Sequence, residues 1–224
     1  MQEGALAFVQ MVKAAQAVRE FKGAGLFYIV YLTGPTFGGV LASWGSLGHL
    51  TFAEPDAVVG FSGPRAVELT SGRALPPGVQ ATDNLLARGL LDGVFPRAEL
   101  RSRVGALLAS LEPRPWAGPP RPRAEGGVSG EAWHSIQASR RPGRPGAKDL
   151  LAACDAELTM MRGDESGGGD DPACVAALGR VTGRPCVVVA QERAHSPRGA
   201  RLGPRGYRKA RRAMRASRPN SNFR

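Results

Sequence analysis

The sequence has 224 residues, of which 42% are apolar and 22% are charged, and its formal net charge is +11. This apolar fraction is sufficient to form a hydrophobic core and excludes a chain that is disordered throughout. Residues 193–224 contain 11 basic and no acidic residues, whereas residues 1–192 contain 19 of each sign. The basic excess is therefore confined to the C-terminal segment, and the body of the protein is neutral.

The composition also bears on the compartment and on metal binding. The apolar run over 24–32 is far shorter than the roughly 20 residues of a membrane span, and no secretory signal is visible. The three cysteines, Cys154, Cys174 and Cys186, are widely spaced and include no C-x-x-C pair, which favours neither a disulfide framework nor a zinc site. We therefore predict a cytoplasmic protein without a bound metal.

Helix and strand patterns alternate in the N-terminal part of the chain. Apolar residues at roughly helical spacing predict an amphipathic helix over 2–22, and the continuous run 27–32 predicts a strand buried on both faces. A turn over 33–36 follows. A short helix is expected over 38–48, beginning at the glycine pair Gly38-Gly39.

The same alternation continues up to residue 111 and favours an α/β fold. Short strands are expected over 50–53 and 57–60, and Pro64 opens a helix at a position where its missing N–H is harmless. A helix capped by Thr82 is expected to end at Gly89, and a final helix is predicted over 98–111.

A Pro/Gly-rich segment over 112–130 has the composition of a linker. It separates a first domain (1–111) from a second (131–215), which is followed by a basic tail (216–224). The second domain is expected to contain the following elements: helices over 131–140 and 147–158, a polar loop over 163–171, a hairpin of strands 174–181 and 186–191, and a helix over 207–215.

The glycine pair Gly38-Gly39, between a strand and a helix, is the strongest candidate for chemistry. Glycines allow close approach to the backbone, and free N–H groups at a helix start attract negative charge, so the pair predicts an anion or oxyanion site. The run lacks the G-x-G-x-x-G fingerprint and the G-K-[ST] of a P-loop, which disfavours nucleotide binding. A tight turn with close helix packing remains the structural alternative.

Side-chain catalysts are poorly represented. The three histidines, His49, His134 and His195, are scattered and are expected to be structural or surface residues. The pair Asp170-Asp171 lies in a Gly-rich stretch without further ligands, so a solvated loop is expected in preference to a metal site. An enzyme built from this chain would therefore catalyse through backbone donors.

Several motifs occur in a fixed order along the chain. The N-terminal set is Met1-Gln2-Glu3-Gly4-Ala5-Leu6, Leu32-Thr33-Gly34-Pro35-Thr36-Phe37-Gly38-Gly39-Val40, Ala53-Glu54-Pro55 and Gly60-Phe61-Ser62-Gly63-Pro64-Arg65. The C-terminal set is Ala132-Trp133-His134-Ser135-Ile136-Gln137, Gly169-Asp170-Asp171-Pro172-Ala173, Gly183-Arg184-Pro185 with Val187-Val188-Val189, and Gly206-Tyr207-Arg208-Lys209-Ala210. The first set resembles the β half of the carboxyltransferase of bacterial acetyl-CoA carboxylase, and the second resembles the start of its α half.

The resemblance implies a crotonase-like α/β fold and a fused β/α carboxyltransferase. The implied reaction moves a carboxyl group from carboxybiotin on a carrier protein to acetyl-CoA, giving malonyl-CoA for fatty acid biosynthesis. Gly38 and Gly39 are the implied oxyanion-type backbone donors, which stabilise an enolate. The implied partners are biotin carboxyl carrier protein, biotin carboxylase and other carboxyltransferase subunits.

The sequence also departs from the family pattern. The family's N-terminal four-cysteine zinc module, a partner glycine pair for Gly38-Gly39 and most of the α half have no counterpart. Gly34 and His49 stand where the family usually has Asp, and Arg205 replaces a Glu. We therefore expect a carboxyltransferase truncated at both ends. The alternatives are an inactive fragment or assembly partner of the carboxylase complex, and a nucleic-acid-binding protein that uses the basic tail.

Overall fold

A parallel sheet lies at the centre of the N-terminal part of the chain. The computed structural model describes residues 4–112, 132–139, 141, 143–154, 156–164, 168–192 and 201–216. Strand β1 (Ile29–Leu32) pairs with β3 (Leu50–Ala53), which in turn pairs with β5 (Gly93–Val94). A separate parallel pair joins β2 (Thr36–Phe37) to β4 (Val59–Gly60).

An antiparallel sheet forms the C-terminal part. Strand β6 (Ala156–Met160) pairs with β7 (Cys174–Val181), and β7 pairs with β8 (Arg184–Gln191). Thr182 and Gly183 connect β7 to β8 with φ values of 49° and 81°, the positive values that a two-residue hairpin turn requires. The predicted hairpin is therefore confirmed, with a tighter turn than expected.

In the described parts of the chain, seven α-helices accompany the sheets. They are α1 (Ala5–Gly23), α2 (Pro64–Ser71), α3 (Thr82–Ala87), α4 (Leu100–Leu111), α5 (Ala132–Ser139), α6 (Ala147–Ala153) and α7 (Pro204–Ala216). A π-helical turn (Leu41–Gly45) follows β2, and a single 3₁₀ turn (Arg97–Glu99) precedes α4. None of the described helices combines the length and the apolar character needed to cross a lipid bilayer.

The parallel sheet is buried on both faces, as predicted for the run 27–32. Val30 and Leu32 belong to one core cluster with Val59 and Leu91. The alternate residues of β1, Ile29 and Tyr31, pack against a second cluster. Burial on both faces explains why the sequence of β1 is continuously apolar.

The second core cluster joins residues from both sides of the predicted linker. Leu50, Phe52, Phe95 and Leu107 come from the N-terminal part, and Met161, Ala176, Leu178 and Ala213 come from the C-terminal part. The segment over 113–131, which contains nearly all of the predicted linker, lies outside the described residues. The parts of the chain on either side of it therefore share one core.

Three predicted elements are wrong in type or extent. The helix predicted over 147–158 ends at Ala153, because Ala156–Met160 pairs with β7 along its whole length. The helix predicted over 38–48 is only a short π-helical turn. Thr82 is not the cap of α3 but its buried first residue, and the cap position is Ala81, which has no side chain able to accept a hydrogen bond.

Candidate oxyanion site and its relatives

The Gly38-Gly39 turn directly follows β2. Gly38 has a φ of +63°, a left-handed conformation that favours glycine. Its N–H donates to the Gly60 carbonyl oxygen at 3.2 Å, and its own carbonyl oxygen accepts the Ala42 N–H at 3.0 Å. The Ala42 N–H is the first to donate to a carbonyl within this helical turn. The Gly39 N–H lies three residues earlier and therefore has no intrahelical acceptor. Gly38 therefore shapes the turn, and Gly39 is the better placed donor.

Helix α1 packs directly over Gly39. A Cβ atom added to Gly39 would collide with the Met11 sulfur and lie 3.1 Å from the Met11 Cγ. The Ser43 hydroxyl donates to the Gly39 carbonyl oxygen at 2.6 Å and fixes the peptide from the other side. Glycine thus allows close packing of Met11 here, and a larger residue would displace the Met11 side chain from the Gly39 peptide.

The turn borders an apolar cavity of about 680 Å³. Helix α1 contributes Met11 and three neighbouring residues to the cavity wall. The segment after β2 contributes Val40 and Trp44, and the segment that leads into α2 contributes Phe61 and its neighbours. None of the described lining residues is ionisable. A cavity of this kind suits an apolar group and offers it backbone N–H donors, not an acid or a base.

His49 has a structural role, as predicted. Its Nδ1 accepts the Tyr28 N–H at 3.0 Å, and its ring stacks on Phe27 with 5.0 Å between centroids. Burial, together with the nearby Lys22 ammonium, lowers the pKa of His49 from 6.5 to about 4. His134 lies exposed on α5, and His195 lies outside the described residues.

The expectation of a solvated loop at Asp170-Asp171 is wrong. Asp171 is buried and accepts the backbone N–H groups of Ala173, Gly203 and Gly206. The Asp170 carboxylate pairs with the Lys209 ammonium at 2.8 Å. These carboxylates anchor α7 to the antiparallel sheet. Within the described parts of the chain, no cluster of three or more His, Cys, Asp or Glu residues could hold a metal ion.

The sequence analysis missed a buried ion pair between Asp92 and Arg212. The two guanidinium nitrogens lie 2.8 and 2.7 Å from the two carboxylate oxygens. Asp92 also accepts the N–H groups of Thr51 and Arg162. The residues are 120 positions apart, and no periodicity or motif links such distant positions.

Solved structures define the class of the fold. The chain is similar to the transcarboxylase 12S core, with a TM-score of 0.64 and 20% identity over 95% of this chain and 42% of that one. It also resembles a single-chain, multi-domain long-chain acyl-CoA carboxylase, with a TM-score of 0.52 and 19% identity over 78% of this chain and 17% of that one. The fold is therefore the crotonase-like α/β fold of carboxyltransferases, as predicted.

Sequence relatives are more specific. Residues 129–220 match the family model described as acetyl co-enzyme A carboxylase carboxyltransferase-like. The chain is 44% identical over 216 residues to the probable biotin-dependent acyl-coenzyme A carboxylase beta3 subunit of Mycobacterium tuberculosis (strain ATCC 25618 / H37Rv), covering 96% of this chain and 43% of the relative. It is 38% identical over 231 residues to the acetyl-coenzyme A carboxylase carboxyl transferase subunits beta/alpha of Frankia alni (strain DSM 45986 / CECT 9034 / ACN14a), covering 96% and 38%.

Residues 129–220 thus match a carboxyltransferase family model, and the chain as a whole is similar to the carboxyltransferase subunits of biotin-dependent acyl-CoA carboxylases. It spans less than half of the length of the curated relatives described above.

Proposed function

We propose that the chain acts as the carboxyltransferase component of an acetyl-CoA carboxylase. It moves a carboxyl group from carboxybiotin, carried on biotin carboxyl carrier protein, to acetyl-CoA and so forms malonyl-CoA for fatty acid biosynthesis. Similarity to carboxyltransferase subunits over 96% of the chain supports the reaction class. The relatives named as acetyl-CoA carboxylase subunits support acetyl-CoA as the acceptor. The proposed partners are the carrier protein, biotin carboxylase and further carboxyltransferase subunits.

The chemistry requires stabilisation of negative charge on the thioester oxygen. The acetyl Cα loses a proton and becomes the carbanion end of an enolate, which attacks the carboxyl carbon of carboxybiotin. The N–C bond of carboxybiotin breaks, a C–C bond forms between the acetyl Cα and the carboxyl carbon, and the released biotin nitrogen takes up the proton that the Cα loses. A preorganised N–H aimed at the enolate oxygen lowers the barrier, because it acts on charge that develops in the transition state.

The position of Gly39 is the observation that carries the proposal. Its N–H lies in the first turn of the helical segment, where it has no intrahelical acceptor, and it borders an apolar cavity whose described lining residues include no ionisable group. Gly38 gives the turn its left-handed shape, and Met11 covers it from α1. This arrangement favours a thioester oxygen at Gly39 and an acyl group among the apolar side chains.

The reaction is tested by incubating the purified chain with carboxylated biotin carrier protein and acetyl-CoA, and by following malonyl-CoA. We expect malonyl-CoA to form, and acetyl-CoA to give a higher kcat/KM than propionyl-CoA or a long-chain acyl-CoA. No product under conditions in which a full-length carboxyltransferase is active would contradict catalysis by this chain. Preference for a longer acyl group would contradict the choice of acetyl-CoA as acceptor but not the carboxyl-transfer reaction.

A second candidate function is that of a non-catalytic assembly partner. None of the residues of α1 is buried, and Leu6 and Phe8 are 72% and 64% exposed. The exposed apolar side chains of this helix suit docking on a carboxylase subunit. Co-purification of the chain with a full-length carboxyltransferase, lost when Leu6 and Phe8 are both replaced by Ser, would support this function. A stable, inactive monomer would contradict both candidates.

A further inference from the structure

A basic cleft of about 630 Å³ lies between the C-terminal end of α1 and one face of α7. Six of the described residues that line it are Arg or Lys, and one, Asp164, is acidic. The cations are Arg19, Lys22, Arg208, Arg211, Arg212 and Arg215. The cleft is distinct from the apolar cavity at Gly39, whose described lining residues include no ionisable group.

Two of these cations stabilise the fold itself. Arg208 pairs with Asp164, and Arg212 is held by the buried Asp92. Within the described residues, Arg19, Arg211 and Arg215 lie within 4 Å of no carboxylate. The ion pairs thus fix α7 in place, and three guanidinium groups at the cleft are left for another anion.

The ends of the two helices do not account for this charge. Each helix C-terminus carries roughly half a negative charge, so the ends of α1 and α7 together offset about one cation. Lys22 and Arg215 lie in the last turns of these helices and already occupy favourable positions for that interaction. Arg19 and Arg211 lie further from the helix ends and remain uncompensated.

The surroundings of the cleft are consistent with a positive potential. His49 lines it, and besides burial, Lys22 and Arg212 both lower the pKa of His49 to about 4. The imidazole is therefore neutral near pH 7 and contributes neither a positive charge nor a competing anion.

We propose that this cleft binds an anion with at least two closely spaced phosphate groups. The planar guanidinium forms paired hydrogen bonds to phosphate oxygens, and several arginines on two helices match several phosphates better than one carboxylate. The phosphates belong either to free pyrophosphate or to the nucleotide portion of a coenzyme ester. Both present two negatively charged phosphate groups joined through one bridging oxygen.

The site is tested by calorimetric titration of the full chain with inorganic pyrophosphate at low ionic strength. We expect the wild type to bind, and the double variant Arg211→Gln/Arg215→Gln to bind about tenfold more weakly. Both side chains are exposed, and circular dichroism should therefore show an unchanged fold. The matched double variant Arg73→Gln/Arg101→Gln removes the same charge from exposed positions outside the cleft and should change the affinity less than about twofold.

Competition identifies the source of the phosphates. Displacement of pyrophosphate by CoA, together with a similar loss of CoA affinity in the Arg211→Gln/Arg215→Gln variant, would assign the cleft to a coenzyme ester. Binding of pyrophosphate without displacement by CoA would assign it to the free anion. Absence of pyrophosphate binding, or equal weakening in the matched double variant, would overturn the proposal.

Discussion

Asp92 and Arg212 show how much a single residue pair contributes to this structure. The Asp92 side chain is 1% exposed and the Arg212 side chain is 10% exposed, so water screens their interaction poorly. The Asp92 carboxylate also accepts the N–H groups of Thr51 and Arg162. One carboxylate thus connects β3, the segment after β6, and α7.

Replacing Asp92 by Asn is expected to lower the free energy of unfolding by about 3–5 kcal/mol, because it removes the buried carboxylate that pairs with the Arg212 guanidinium. Urea denaturation followed by circular dichroism measures this change. The control is Glu99→Gln, which breaks the exposed pair with Arg103 and should cost less than about 1 kcal/mol. Equal effects of the two substitutions would show that burial of the Asp92–Arg212 pair is unimportant.

His49 makes stability depend on pH in a defined direction. The pKa of His49 is lowered from 6.5 to about 4 in the folded protein, so the unfolded chain binds the proton more strongly. Its contribution to stability is therefore complete above pH 6.5 and is lost as the pH falls from about 6.5 to about 4. His49→Asn keeps an acceptor for the Tyr28 N–H but does not titrate.

Denaturant titrations of the wild type and the His49→Asn variant between pH 4 and pH 7 test this effect. The difference in free energy of unfolding between the two proteins should shift in favour of the variant as the pH falls. The carboxylates titrate in both proteins, so their contributions to stability cancel in the difference. A difference that stays constant with pH would mean that the pKa of His49 is close to its ordinary value.

At the level of elements, two glycines bring the N-terminal and C-terminal parts into contact. Gly89 follows α3 and Gly163 follows β6, and both have positive φ values, 70° and 59°. A Cβ atom on Gly163 would lie 2.5 Å from the Gly89 Cα atom. The backbones therefore touch at a point where neither side tolerates a side chain.

Gly163→Ala is expected to destabilise the protein by about 2–4 kcal/mol, because the methyl group meets backbone atoms and the left-handed conformation disfavours alanine. The melting temperature measured by circular dichroism reports the change. Gly105→Ala on α4 is the matched control, since an added Cβ there meets nothing within 4 Å. Alanine at this helical position should stabilise the protein by up to about 1 kcal/mol.

The elements of this chain differ in how clearly the local sequence predicts them. The buried strand β1, the β7–β8 hairpin and helix α7 carry strong local patterns, and the structure confirms them. The first three residues of β6 were predicted as the end of a helix, because the pattern over 147–158 is helical and only pairing with β7 makes this segment a strand. The glycine pair was found from its spacing, whereas Met11 over Gly39 was not, because that contact depends on where α1 packs.

For the whole molecule, the C-terminal charge has a different meaning from the one its composition suggests. Lys209 and Arg212 on α7 are buried against Asp170 and Asp92, and Arg208 pairs with Asp164. The neutral body and the basic segment are therefore electrostatically complementary within one fold. Composition alone could not show this, since it records the charges but not which of them meet.

The central claim is that Gly39 supplies a backbone donor to the enolate of an acyl-CoA. The most direct measurement is the rate of carboxyl transfer from carboxylated biotin carrier protein to acetyl-CoA by the wild type, Gly39→Val and Gly105→Val. We predict that Gly39→Val lowers kcat about 100-fold or more with a smaller change in KM, and that Gly105→Val leaves both near the wild-type values. Transfer by Gly39→Val at the wild-type rate would contradict the claim.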